Sequence, residues 1–175
     1  MLRSKRLEFE IMAILQKLIE ALRNELQQYG EMLALLDHQQ ELVDQSGADD
    51  ILHSISAINT QSATIQTARE KRQSVQQQLA QTINQPTDST FAQLMPLLPA
   101  HYRPLVGALV QENNELLERV RQRAQRNQHL LRRSLELMQR FITTLSPQDH
   151  AASPAVAENP AVAVEAGLPL YDAIV

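Results

Sequence analysis

The apolar residues in the first quarter of the chain recur at intervals that place them on one face of an α-helix. They lie three, four and seven residues apart with polar residues between them, which is the pattern of an amphipathic helix. The pattern predicts a first helix over residues 7–44, about 55 Å long at ~1.5 Å per residue. Its apolar positions are Ile11, Leu15, Leu18, Leu22, Leu26, Tyr29, Leu33, Leu36 and Val43.

A second helix is predicted over residues 50–84. Gly47 suits the C-terminal end of the first helix, and Asp49 or Asp50 suits the N-cap of the next one. The apolar face of this second helix is weaker, because Ser62, Arg69 and Arg72 stand where apolar residues would continue it. The apolar positions are Ile51, Ile55, Ile58, Ile65, Val75, Leu79 and Ile83.

A third helix is predicted over residues 104–145, after a link that contains Pro96 and Pro99. Proline in the interior of a helix removes a hydrogen bond and clashes with the preceding turn, so a short turn and an irregular connection are expected there. Pro104 is well placed at a first helical position. The core-facing stripe of the third helix is predicted at Leu105, Leu109, Leu116, Val120, Ala124, Asn127, Leu131, Leu135 and Met138.

Composition agrees with helices and changes sharply near the C-terminus. The chain has four Gly, no Trp and 3% aromatic residues, which favours helices over sheets. The predicted fold class is therefore all-α: an elongated antiparallel bundle of three long helices with coiled-coil-like packing, over residues 1–147. Residues 148–175 are rich in Ala and Pro and read as a flexible, disordered tail that ends in an apolar cluster.

The residue types that support catalysis are not grouped in the sequence. There is no Cys, no Gly-rich phosphate loop and no hydrolase or zinc-protease motif, and the five His are scattered. The pair Asp50 and His53 resembles half of a metal site but has no second half. We therefore expect no enzyme activity, no cofactor and no metal.

Charge and hydropathy limit the possible surroundings of the protein. The net charge is −4, and the four acidic residues after position 145 account for it, so bulk charge gives no reason to expect nucleic acid or a membrane. No run approaches the ~18 apolar residues of a membrane span. Because Glu8 and Glu10 interrupt the first apolar residues, we expect no signal peptide and a cytoplasmic location.

The third helix carries an arginine stripe with three possible interpretations. Arg119, Arg126, Arg133 and Arg140 lie seven residues apart. They could contact nucleic-acid phosphates, although no aromatic residues interleave with them. They could instead cover apolar surface and pair with Glu20, Glu31 or Glu41 of the first helix, or they could bind an acidic partner.

The same helix has more apolar residues than one core-facing stripe requires. Leu117, Leu130, Leu137 and Phe141 lie beside the stripe rather than in it. Exposed together, they would form a surface for a partner. A wider core face is the alternative interpretation.

The third helix and the tail resemble the FlgN family of flagellar export chaperones. The shared features are Asn127-x-x-Leu130-Leu131, the helix end at Leu145-Ser146-Pro147, and the late element Leu170-Tyr171-Asp172-Ala173. Ile65 with Arg69 is similar to part of the second family helix. The chain departs from the family in having no Lys over residues 51–67, in having Ile174 and Val175 where a Gly often follows the tail motif, and in a longer acidic Ala/Pro linker.

The resemblance implies a cytoplasmic chaperone of flagellar type III secretion. Such a chaperone would bind the C-terminal helices of hook–filament junction proteins, prevent their premature assembly and present them to the export gate. The partner-binding residues implied are Asn127, Leu130, Leu131, Leu135, Met138 and Phe141, with Leu170 and Tyr171 as the gate-docking element. The alternatives are a self-associating coiled-coil protein without a client and, third, a nucleic-acid binder that uses the arginine stripe.

Overall fold

The computed structural model describes residues 2–45 and 48–145 of the chain. Every regular element within these residues is helical, which confirms the prediction of an all-α protein. Three of the helices exceed 30 residues, and a short helical connection lies between the second and the last. The elements are α1 (Leu2–Gln45), α2 (Ala48–Thr82), α3 (Phe91–Leu94), a 3₁₀ turn (Met95–Leu97) and α4 (Arg103–Leu145).

The helix boundaries follow from the few residues that interrupt a helix. Gly30 is the single Gly or Pro within α1, and a Cβ built at this position would contact nothing within 4 Å. Because no Gly or Pro interrupts residues 2–29, the helix begins at Leu2, five residues before the predicted start. Just after the end of α2, Asn84 adopts a φ of 57°, the left-handed conformation that Asn tolerates better than most residues. The N–H of Gln85 then donates to the carbonyl of Ala80 at 2.8 Å.

The connection between α2 and α4 is held by specific hydrogen bonds. Thr90 and Gln93 form a capping box at the start of α3, in which the Thr90 N–H donates to Gln93 Oε1 at 2.8 Å. Arg103, the first residue of α4, donates from its guanidinium to the carbonyls of Leu98 and Pro96. These bonds fix the direction in which α4 leaves the connection.

Helix α1 lies against both α2 and α4, and hydrogen bonds give the directions. Asn113 of α4 donates to the carbonyl of Leu22 at 3.0 Å, and Asn127 donates to the carbonyl of Leu36 at 2.6 Å. Both pairs are 91 residues apart in sequence, so α4 runs parallel to α1. On the other side, Arg72 contacts Glu25 while Ser54 contacts Gln39, so α2 runs antiparallel to α1.

Two apolar clusters fill the bundle. The predicted stripe of α1 contributes to both, since Leu15, Leu22, Tyr29 and Leu36 are all fully buried. The cluster beside the connection contains Ile14, Leu15, Leu18, Ile19, Leu22, Leu79, Leu98, Val106 and Leu109. The second cluster contains Tyr29, Met32, Leu36, Ile58, Ile65, Val120 and Ala124.

A buried carboxylate joins α1 to α2 between the clusters. Glu25 accepts a hydrogen bond from the Tyr29 hydroxyl at 2.8 Å and pairs with Arg72 at 2.9 Å and Arg69 at 3.9 Å. These are the two Arg that interrupt the apolar face of α2, and Glu25 explains their presence. Burial, and next the adjacent Glu25 carboxylate, raise the pKa of Tyr29 far above its usual value of about 10.

The raised pKa of Tyr29 predicts a loss of stability at alkaline pH. The unfolded chain releases the phenol proton near pH ~10, whereas the folded chain retains it. The contribution of Tyr29 is therefore complete below pH ~10 and falls as the pH rises toward the folded-state pKa. Tyr29→Phe should lower the free energy of unfolding by about 1 kcal/mol at neutral pH and should reduce the alkaline loss.

Urea unfolding of both proteins at neutral pH and above pH ~10 measures this effect. Tyr102→Phe is the control, because it removes a hydroxyl that lies outside the Glu25 cluster. An equal alkaline loss in the parent and in Tyr29→Phe would contradict the assignment.

Candidate functional site on the distal part of α4

The C-terminal part of α4 extends beyond the helix that supports it. The constant offset of 91 residues places residue 136 level with Gln45, the last residue of α1. Residues 137–145 therefore extend past α1 by about 14 Å at 1.5 Å per residue. Helix α2 also begins at this end of the bundle, at Ala48. A single helix thus projects from one end of the bundle.

Three large apolar side chains are exposed over residues 135–138, where α4 reaches and passes the end of α1. Leu135 is 50% exposed, Leu137 is 45% exposed and Met138 is 49% exposed. Leu135 and Met138 share one side of the helix, and Leu137 lies on the other. A helix end that is apolar on two sides and extends past its neighbours among the described residues presents a surface for another element. We refer to these three residues as the distal surface.

The structure divides the predicted partner-binding residues into two groups. Asn127 is completely buried and Leu131 is nearly so, and Asn127 bonds to α1. Leu130 is partly buried, whereas Leu135 and Met138 are exposed. Phe141 belongs to α4, but its side chain lies outside the described residues. Leu170 and Tyr171 also lie outside the described residues.

Asn127 belongs to a repeated buried contact that the sequence analysis did not identify. Asn113 lies fourteen residues earlier, which is two heptads, and makes the same bond to a carbonyl of α1. The Oδ1 atoms of both residues are buried without a hydrogen-bond partner. Buried Asn at a core position costs stability and selects one register. The two residues fix the offset between α1 and α4 and so decide how far α4 projects.

The charged residues near the distal surface are mainly basic. Residues 126–140 contain four Arg and one Glu, Glu136. Arg123, which is not one of the four arginines of the stripe, pairs with Asp37 of α1 at 3.0 Å and donates to Gln40 of α1. A shallow open depression on the distal part of α4 is lined by α4 alone, with the residues His129, Arg132, Arg133, Glu136, Leu137 and Arg140.

Residues 2–45 and 48–145 contain no group of three His, Asp or Glu that is arranged to hold a metal ion. None of the described helices combines the length and the apolar character needed to cross a membrane.

The fold and this surface define a class: a helical-bundle protein with an exposed apolar surface near the end of one long helix. Comparison with known families gives the particular family. The model of the FlgN protein family matches residues 12–153. The chain belongs to this family of flagellar export chaperones, and the resemblance seen in the sequence is confirmed. Searches of curated proteins and of solved structures each gave no match.

Proposed function

We propose that this protein is a cytoplasmic export chaperone for hook–filament junction proteins. It binds their C-terminal helices, prevents premature assembly and presents the client to the type III export gate. The observation that carries the proposal is the distal surface, an apolar helix end left open in a chain of the FlgN family. An amphipathic client helix buries its apolar face against such a surface and is thereby kept from assembling.

The size of the distal surface indicates how much of the chain takes part. Burying three half-exposed side chains contributes about 3–4 kcal/mol. Micromolar affinity requires about 8 kcal/mol. The client must therefore contact more than Leu135, Leu137 and Met138. Phe141, four residues after Leu137, is the first candidate, and the tail is the second.

In this proposal the buried members of the predicted site position the surface and do not touch the client. Asn127 and Leu131 hold α4 on α1, so that the exposed residues that follow are presented on a rigid helix. Leu130, which is partly buried, lies at the boundary between the two groups. The whole of residues 1–147 acts as an elongated bundle of three long helices with coiled-coil-like packing, and residues 148–175 act as a flexible tail.

The proposed tail function is contact with the export machinery. Leu170 and Tyr171 form the gate-docking element, because a short apolar and aromatic motif on a flexible chain suits a contact that must form and release. Ordering the tail lowers its net affinity, which is appropriate for delivery of a client.

Co-expression of the full chain with the C-terminal segment of a junction protein tests the proposal. A stable complex of one chaperone and one client is expected. The free chain should sediment as a species that leaves the distal surface accessible. If an intact client fails to co-purify, and the chain instead forms a tight oligomer that buries the distal surface, the self-associating coiled-coil alternative is favoured.

A further inference from the structure

We propose that the last residues of this same chain, 168–175, cover the distal surface of α4 until a client takes their place. The exposed surface and the tail end are matched in charge, in apolar character and in reach. The first part of the inference needs no client. The second part, competition with the client, rests on the proposed function.

The charges of the two segments are opposite. Residues 146–175 carry four carboxylates and no Lys or Arg, and residues 126–140 carry four Arg and one Glu. Opposite charges guide the two segments toward each other and disfavour other arrangements. The contribution of each exposed pair is about 1 kcal/mol or less and decreases with added salt. Charge therefore selects the surface but does not by itself hold the tail there.

Apolar contact supplies the remaining attraction. The tail end offers five large apolar or aromatic side chains to the distal surface, where Leu135, Leu137 and Met138 are each about half exposed. Covering these side chains removes apolar area from water on both segments. The five residues of the tail end are Leu168, Leu170, Tyr171, Ile174 and Val175.

The linker is long enough for the contact. Residues 146–167 form a linker of 22 residues, with a mean end-to-end distance of roughly 25 Å for a flexible chain. The path back from Leu145 to Leu135 along α4 is about 15 Å. A tethered segment within this range has an effective concentration of the order of millimolar. Even a weak contact is then populated in the free protein.

Competition for one surface couples client loading to gate docking. A client can bind only while the tail is away, so its apparent affinity is reduced by the fraction of time that the surface is open. Once bound, the client displaces the tail end and leaves Leu170 and Tyr171 available. The loaded chaperone then presents its gate-docking element, and the empty chaperone conceals it.

A spin label on the tail tests the contact in the full chain without any client. The sequence contains no Cys, so Ala166→Cys provides a single attachment point just before the apolar residues. In an amide spectrum of the ¹⁵N-labelled protein, we expect residues 132–140 to lose signal intensity and residues 72–82, at the far end of α2, to retain theirs. The intensity should return when Leu170 and Tyr171 are both changed to Asp.

Three other outcomes of the spin-label experiment would contradict the inference. Undiminished signals from residues 132–140 would show that the tail does not visit the distal surface, and equal loss at residues 72–82 of α2 would show that the contact is unspecific. A spin-labelled ¹⁴N chain mixed with an unlabelled ¹⁵N chain identifies a second copy as the occupant if it reproduces the loss.

Client binding is measured separately, so that the two proposals can fail independently. If the tail occupies the surface nine-tenths of the time, Leu170→Asp with Tyr171→Asp should tighten client binding about tenfold. Signal loss without any client binding would contradict the proposed function alone. Client binding with no effect of the tail on signals or affinity would contradict this inference alone.

Discussion

Capture of a junction-protein client is expected to disappear when Leu135 and Met138 are both changed to Asp. The two side chains share one side of the projecting helix, and each is about half exposed in the free protein. The change removes their apolar contact and places two carboxylates against the apolar face of the client, where each would lose hydration without a partner. A loss of about 4 kcal/mol or more corresponds to at least about a thousandfold weaker binding.

Stability measurements distinguish this result from unfolding. Surface substitutions away from caps and cores usually change the free energy of unfolding by no more than about 0.5 kcal/mol. The double variant should therefore melt at nearly the parent temperature in circular dichroism while calorimetry detects no client binding. Leu131→Asp should behave differently, because Leu131 is buried against α1 and a carboxylate there destabilises the bundle itself.

Leu105→Asp is the matched control for this experiment. Leu105 lies on the same helix and is 40% exposed, but it is about 45 Å from Leu135 along α4, at the opposite end of the bundle. Client affinity should be unaffected. If Leu105→Asp weakens capture as strongly as the double variant does, the client does not bind where we propose.

The periodic spacing of apolar residues was sufficient to predict an all-α fold. Leu15, Leu22 and Leu36 are buried in the order that the seven-residue spacing requires. The pattern was less reliable after the Pro-containing connection. Leu105 was assigned to the core-facing stripe but is exposed, whereas its neighbour Val106 is fully buried. Packing of the connection against α1, which local spacing does not report, sets the rotation of α4 at this end.

The site was harder to predict, because the apolar stripe of α4 packs against α1 up to Leu131 and is exposed at Leu135 and Met138. Asn127, Leu131 and Leu135 follow each other at helical spacing, and nothing in that spacing shows where the stripe leaves the bundle. The answer depends on the offset between α1 and α4, which Asn113 and Asn127 fix through carbonyls of α1. An offset between two helices is a property of the pair, so neither helix pattern alone contains it.

The buried Glu25 was missed for a related reason. A single Glu within an apolar stripe looks like a surface residue when its own helix is considered alone. The signal was on the other helix, where Arg69 and Arg72 interrupt the apolar face of α2. Two cations in a core-facing position require a buried anion nearby, and Glu25 supplies it at 2.9 Å from Arg72.

Tyr171→Ala is expected to separate client capture from client export. In the proposed function the tyrosine is an anchor for the export gate, and loss of a central aromatic anchor costs about 2 kcal/mol or more. Binding to the gate should weaken about 30-fold. Capture of the client should not weaken, because the distal surface is unchanged, and release of the tail end from that surface should if anything favour it.

Comparison of secreted and intracellular client in cells that carry each variant measures the effect. Tyr171→Ala should leave the client complex intact in the cells and reduce the secreted amount severalfold or more. Val162→Ala is the matched control, because it shortens an apolar side chain of the same tail outside the predicted element. If Tyr171→Ala abolishes capture as well as export, the tail end binds the client itself. The distal surface and the tail would then form one continuous client site, since three half-exposed side chains supply only about half of the free energy that micromolar capture requires.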